Sequence, residues 1–354
     1  MIVTNILETI GGTPTLCIPL RGGEVKLYIK LEMFNPTGSM KDRMAVRMVD
    51  NLSSHCDEAP TQIVESSSGN TASALAMIAA VRGLEFTALM DTHATTDKIC
   101  TVSALGGVVR IVGDDHGALA TNERDKEAER ISKEAGAVWT EQHNNPSNPE
   151  GYNALARELL NDIGLNITHF VSAIGTGGSL CGTARMLKKH IPTIEVVGVE
   201  PSGSIIFGEP GHAYRQSGTG TPAGANVGLV IDYDVIDQGI KVDDTVAFSV
   251  CHYIGRKHGF LIGGSAGCSI FHALCLARNA PTGSRIVTIA CDSGTKYLDT
   301  IYNPEWLEAH DLHLIEIETA FADVLIEPKI GSPAVSDVSP RWTDLRICVS
   351  RDGL

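Results

Sequence analysis

Aromatic residues make up only 5% of this 354-residue chain and charged residues 20%. Its nine cysteines include no C-x-x-C pair and no Cys/His cluster at zinc spacing, so no metal site is expected. Their number is odd and the chain is long. Buried free thiols in a reducing cytoplasm are therefore expected rather than a disulfide framework. No apolar run approaches the roughly 20 residues of a membrane span. The opening MIVTNILETIGG has no basic stretch before Glu8, which argues against a signal peptide. Cationic charge is also short: 28 Lys and Arg stand against 42 Asp and Glu, a formal net charge of −14. Such a surface repels a phosphate backbone, so nucleic acid is not an expected partner. A small anion can still be held, because backbone amides act locally whatever the total charge. These absences leave a soluble, cytoplasmic protein acting on small molecules.

What the chain does have is glycine, 36 residues, and 43% hydrophobic residues. That is ample for two lobes, since single cores stop growing near about 250–300 residues. Strand-like runs at 26–32, 62–66, 86–90, 107–113, 169–175, 195–200 and 285–290 alternate with helical stretches. The helical stretches are Asn70–Arg82, Thr121–Glu134, Gly151–Leu160, Leu180–Lys189 and Ala266–Arg278. This rhythm predicts an α/β protein of parallel sheets covered on both faces. Two sheets are expected, divided near the turn-rich HNNPSNPEG of 143–151. From about Asp311 the rhythm fades, and 311–354 is expected to be a C-terminal appendage.

In such sheets ligands sit where strands end against helix N-termini, and unusual sequence follows several strand ends. The run Gly175, Thr176, Gly177, Gly178, Ser179 lets successive N–H groups converge before a helix, an anion cradle. It lacks the dinucleotide G-x-G-x-x-G spacing and no Walker lysine follows it. SSSGNT, residues 66–71, places Ser67, Ser68, Asn70 and Thr71 at another helix start. It suits a carboxylate, although Ser and Asn are also the ordinary helix-capping residues. In NPTGSMKDR, residues 35–43, turn chemistry leads straight into Lys41 at a helix N-terminus. A cation is misplaced there electrostatically, so its proton is lost more readily, as an imine-forming lysine requires, although a solvated surface lysine is the ordinary alternative for this fragment alone. GFLIGGSAG, residues 259–267, presents Ser265 at a fourth helix start, where an ordinary helix cap is the alternative reading.

The order and spacing of these segments resemble the fold-type-II pyridoxal-phosphate family that contains cysteine synthase and cystathionine β-synthase. NILETIGGTPTL is similar to the family's opening, NPTGSMKDR to its lysine motif, SSSGNT to its substrate loop, GTGGS to its phosphate loop and GGSAG to its pyridine-facing segment. QHNNPSNP resembles a further motif whose glutamine is Gln142 here. The resemblance spans about Asn5 to His310. It implies two three-layer αβα lobes: a smaller mobile one over 42–148, and a larger cofactor-binding one from 1–41 and 149–310. It also implies a homodimer and pyridoxal 5′-phosphate as cofactor, with Lys41 as the imine-forming base. Gly175 to Ser179 would hold the phosphate, Asn70 the 3′-oxygen and Ser265 the ring nitrogen, while Ser67, Ser68, Thr71 and Gln142 would bind the substrate carboxylate. A hydroxyl, unlike a carboxylate, does not favour protonation of the ring nitrogen. That biases the chemistry toward β-elimination to an aminoacrylate, followed by addition of a nucleophile.

Several positions depart from the cysteine synthase pattern. Thr37 stands where Gly or Ser is usual, Ala72 replaces a glycine, Cys291-Asp292 replaces a common proline and Lys296 a common arginine. IVESSSGN, GSIIFG and GTKYLDTIYNPEWLE look closer to the siderophore-pathway branch that joins O-phospho-L-serine to the amine of L-glutamate. This implies a roomier, more polar second pocket, with Tyr152 and Ser204 as candidate lining residues. A cysteine synthase using O-acetylserine or O-phosphoserine with sulfide is the alternative, and a catalytically silent family member a lesser one.

Overall fold

The computed structural model describes residues 2–52, 59–92, 94–113, 121–208 and 210–326. Its strands form two sheets. The larger has six, in the spatial order β1 (Thr15–Leu20), β2 (Val25–Leu31), β10 (Arg285–Ala290), β7 (His169–Ala173), β8 (Glu195–Pro201) and β9 (Gln238–Val242). The smaller has four, in the order β5 (Val108–Ile111), β4 (Glu85–Met90), β3 (Gln62–Ser66) and β6 (Ala137–Trp139). All neighbouring pairs are parallel except β1 with β2. The expectation of purely parallel sheets is corrected at that edge. A strand containing Pro19 is tolerated there because an edge position need not donate every ladder hydrogen bond.

Neighbouring residues of the larger sheet enter opposite cores, as alternation along a strand dictates. Val171, Val197 and Ile286 pack on one face with α8 (Asp244–His258) and α9 (Gly264–Asn279). Phe170, Val196 and Val287 pack on the other with α6 (Asn153–Ile163) and α7 (Gly178–His190). The smaller sheet does likewise, Ile63 facing α2 (Asn70–Arg82) and Val64 facing α4 (Thr121–Ile131). α2 is apolar almost all round and correspondingly buried. It stops at Gly83, whose φ of 69° supplies the left-handed cap.

α1 (Lys41–Asp50) links the two halves: Met44 and Met48 enter a core of the larger sheet, Ala45 and Val49 that of the smaller. Residues 311–326 depart from the appendage reading. Ile317, Phe321 and Val324 are buried in the larger sheet's core, and the backbone N–H of Arg21 donates to the Val324 carbonyl at 2.7 Å. The rest of that stretch, 327–354, lies outside the described residues. Among the described residues no helix is long and apolar enough to cross a membrane.

Candidate active site

Lys41 is the first residue of α1, as the turn chemistry before it predicted. The turn is fixed from both sides. Asn35 accepts from the Gly11 N–H at 2.9 Å and donates to the Glu32 carbonyl at 2.9 Å. Asp42 accepts from the Thr37 N–H at 2.8 Å and from the Thr37 hydroxyl. Behind the turn Arg43, 3% exposed, forms a fork with Glu32 at 2.6 and 2.8 Å and a second with Glu158 at 2.7 and 2.8 Å. The Met40 N–H donates to the Cys291 carbonyl at 2.9 Å, and Ser39 pairs with Asp292, so the turn is tied to the end of β10. Burial holds the Lys41 ammonium below its usual pKa, opposed by Cys291 and Asp292 nearby. Burial disfavours the charged amine, which a nucleophilic lysine requires.

At the end of β7 the glycine run turns into α7. Gly177 takes φ 90°, a backbone only glycine adopts freely, and forms the N-cap of α7. The Ser179 hydroxyl lies in the first turn, buried and without a hydrogen-bond partner. A buried unpaired hydroxyl beside a helix N-terminus is the arrangement that an anion would satisfy. Asn148 joins this loop to the next: its Nδ2 donates to the Gln142 carbonyl at 2.7 Å and to the Thr176 hydroxyl at 3.1 Å. Gln142 accepts in turn from the Thr71 hydroxyl at 2.8 Å. Thr71, Gln142 and the glycine loop are therefore one connected unit.

The remaining predicted residues are placed as follows. Asn70, first residue of α2, donates to Asp292 at 2.7 Å and accepts from Lys296 at 2.6 Å. Ser265, in the first turn of α9, is buried and meets the Cys291 thiol, whose pKa burial pushes up to about 11. Ser67 accepts from the Gly69 N–H at 3.3 Å. The Ser68 hydroxyl is held by Asp91 and by Arg124 at 2.6 Å. Tyr152 is 1% exposed and packs among Met40, Met44 and Met48. Ser204 is fully buried and accepts from the Thr221 N–H at 2.9 Å. Both side chains are packed inward and neither is open to a ligand, because their surroundings are closed interior rather than cleft wall.

No site role was read from the sequence for Asn148, Tyr297, Arg124 or His143, and Asp292 stood out only as a departure from the cysteine synthase pattern. The Asn-Pro-Ser-Asn-Pro stretch signalled a turn, but not that its second asparagine reaches two loops. His143 is half-buried with its Nδ1 buried and unpaired, and desolvation lowers its pKa, with Lys41 among the charges it feels.

Comparison with known proteins matches residues 6–292 to the family described as pyridoxal-phosphate dependent enzyme. A proposed cysteine synthase of Sinorhizobium fredii is 44% identical over 311 residues, 87% of this chain and 93% of that protein. The N-(2-amino-2-carboxyethyl)-L-glutamate synthase of Ralstonia nicotianae is 34% identical over 313 residues, 87% of this chain and 92% of that one. Among solved structures, the O-acetylserine dependent cystathionine β-synthase of Helicobacter pylori superposes with a TM-score of 0.78 at 32% identity. That match covers 86% of this chain and all of the other. The lysine at a helix start, the unpaired hydroxyl at the glycine loop and the Ser265 hydroxyl fit the cofactor's aldehyde, phosphate and ring nitrogen. The chain belongs to the fold-type-II pyridoxal-phosphate-dependent enzymes that carry out β-replacement.

Proposed function

We propose that this enzyme replaces the phosphate of O-phospho-L-serine with the amine of L-glutamate, giving N-(2-amino-2-carboxyethyl)-L-glutamate. The carrying observation is the half-buried Lys41, whose amine desolvation holds below its usual pKa, together with the buried Ser265 in the first turn of α9. When bound, pyridoxal phosphate withdraws electrons from the substrate's α-carbon, the chemistry that lets a β-substituent leave. Lys41 Nζ is the amine that would hold the cofactor's aldehyde, and as a free amine it would be the base for the substrate's α-proton. The N–H groups and hydroxyls of Gly175 to Ser179 would hold the cofactor's phosphate. Asn70 would bond its 3′-oxygen, and Ser265 would offer a hydroxyl to the ring nitrogen. Ser67, Ser68, Thr71 and Gln142 bind the substrate carboxylate, Ser68 by exchanging its present partners. In the replacement the Cβ–O bond breaks with its electron pair on the departing phosphate. A Cβ–N bond forms, and the proton that the incoming amine gives up leaves with the phosphate.

Support for an amine as nucleophile comes from the Ralstonia relative and from a Cupriavidus metallidurans protein of the same name, 32% identical over 316 residues. Sulfide is the second reading, favoured by the 44% identity of the Sinorhizobium relative. The working form is proposed to be a homodimer in the cytoplasm. Incubation of purified enzyme with O-phospho-L-serine and either L-glutamate or sulfide, followed by mass spectrometry, tests the assignment. A glutamate adduct with equimolar phosphate release supports it. Cysteine from sulfide with no glutamate adduct assigns the second reading.

A further inference from the structure

Asn70 carries an amide whose two ends, one accepting and one donating, have nearly the same shape. Which end faces a ligand must be decided by its neighbours. Here both neighbours are charged and each accepts only one orientation. Asp292 Oδ2 accepts from Asn70 Nδ2 at 2.7 Å, while Lys296 Nζ donates to Asn70 Oδ1 at 2.6 Å. A carboxylate has no proton to give and an ammonium no lone pair, so a flipped amide would oppose both.

The two charged residues are themselves held. Asp292, 2% exposed, accepts from the Tyr297 hydroxyl at 2.6 Å. Its backbone pairs with Ser39, and the next residue, Ser293, pairs with Ile262. Its second oxygen, Oδ1, is buried with no hydrogen-bond partner. A Cβ at Gly263 would come within 2.2 Å of that oxygen, so the carboxylate fills space that only a glycine leaves. Lys296 is anchored by a second bond, 2.9 Å to the Thr37 carbonyl. Placing a carboxylate in such a site with one oxygen unpaired is unfavourable, which fits a role beyond packing.

We propose that Asp292, Tyr297 and Lys296 form a clamp that fixes the Asn70 amide with its nitrogen end donating. One Nδ2 hydrogen goes to Asp292, the carbonyl is taken by Lys296, and a single N–H is left for the cofactor's 3′-oxygen. The three are positioning residues that act through Asn70. This rests on the assignment of Asn70 to the 3′-oxygen made above.

The test titrates cofactor-free protein with pyridoxal phosphate, reading both affinity and the visible absorption spectrum of the bound cofactor. The proteins are wild type, Asp292→Asn, Lys296→Met, Asn70→Ala and the double variant Asp292→Asn/Asn70→Ala, with thermal melting as the check of folding. Asp292→Asn and Lys296→Met should each weaken binding about tenfold and shift the spectrum, the effect of one misdirected hydrogen bond. In the Asn70→Ala background, Asp292→Asn should add less than about twofold, because effects routed through one residue are not additive. An equal loss in both backgrounds overturns the clamp and assigns Asp292 a direct charge effect on Lys41. Unchanged affinity and spectrum in both single variants also overturn it. Should Asp292→Asn not fold, Lys296→Met with and without Asn70→Ala carries the same comparison. If Asn70→Ala alone changes neither reading, the 3′-oxygen assignment fails instead.

Discussion

At the scale of single residues, the site is marked by polar atoms that the protein leaves unsatisfied. The Ser179 hydroxyl is one, and a phosphate would complete it with a charge-assisted bond. Such bonds contribute about 1.5–3 kcal/mol, so Ser179→Ala should weaken cofactor binding about tenfold or more by equilibrium titration. Glu65, wholly buried behind the Ser66–Thr71 loop, illustrates how pH enters. Burial raises its pKa from 4.5 to about 8, opposed by hydrogen bonds from Thr140 and Gln142. The folded state thus holds a proton that the unfolded chain releases earlier. The resulting stability is present below pH 4.5 and is lost as pH rises toward about 8. Glu65→Gln should flatten that decline in urea unfolding midpoints measured from pH 5 to 8. Lys41 could be picked out from sequence because the turn residues and the helix start are both local. Asp292 could not. A carboxylate after a strand reads as solvated, and its partner Asn70 lies 222 positions away.

At the scale of elements, patterns with strong local signals were legible to the residue. The predicted bounds of α2, β3 and β10 coincide with those observed. β6 has three residues, β9 is mostly exposed along QGIKV, and β1 contains a proline; none carries a strong period of its own. α8 was missed although it runs from Asp244 to His258 with basic residues in its last turn, because TVAFSVCHYIG mixes β-branched, aromatic and polar residues. Its helical state is set by packing against α9 in the larger sheet's core. The element of most consequence is α1, which enters a core of each sheet. Met44, fully buried, sits on the face toward the larger sheet. Met44→Ala should therefore cost about 2–5 kcal/mol through the cavity left behind, measured by urea denaturation.

At the scale of the whole molecule, the chain visits the larger sheet first, builds the smaller one, and returns. Two sheets and a change near residues 143–151 were readable because the strand–helix rhythm is continuous on both sides of that loop. The close packing of 311–326 onto the larger sheet was not, since its apolar positions meet a partner only after the chain has folded. The base of the assembly is the buried ion network in which Arg43 bridges Glu32, on the turn after β2, and Glu158 on α6, with Lys30 3.1 Å from Glu158. Removing one member of such a network strands the opposite charges. Arg43→Met should lower stability by about 3–5 kcal/mol, seen as an earlier unfolding transition, and more than a surface arginine such as Arg47.

The seam at Ser39, Ile262 and Asp292–Ser293 joins parts of the chain made far apart in time during synthesis. A ribosome-bound polypeptide that has not yet released residue 292 owns the reactive amine, the glycine run and the whole smaller sheet, yet lacks the partners that pair with Ser39 and Ile262. Uptake of the vitamin-derived aldehyde would then report that translation has passed this point. Stalled chains arrested on either side of it should differ sharply in colour.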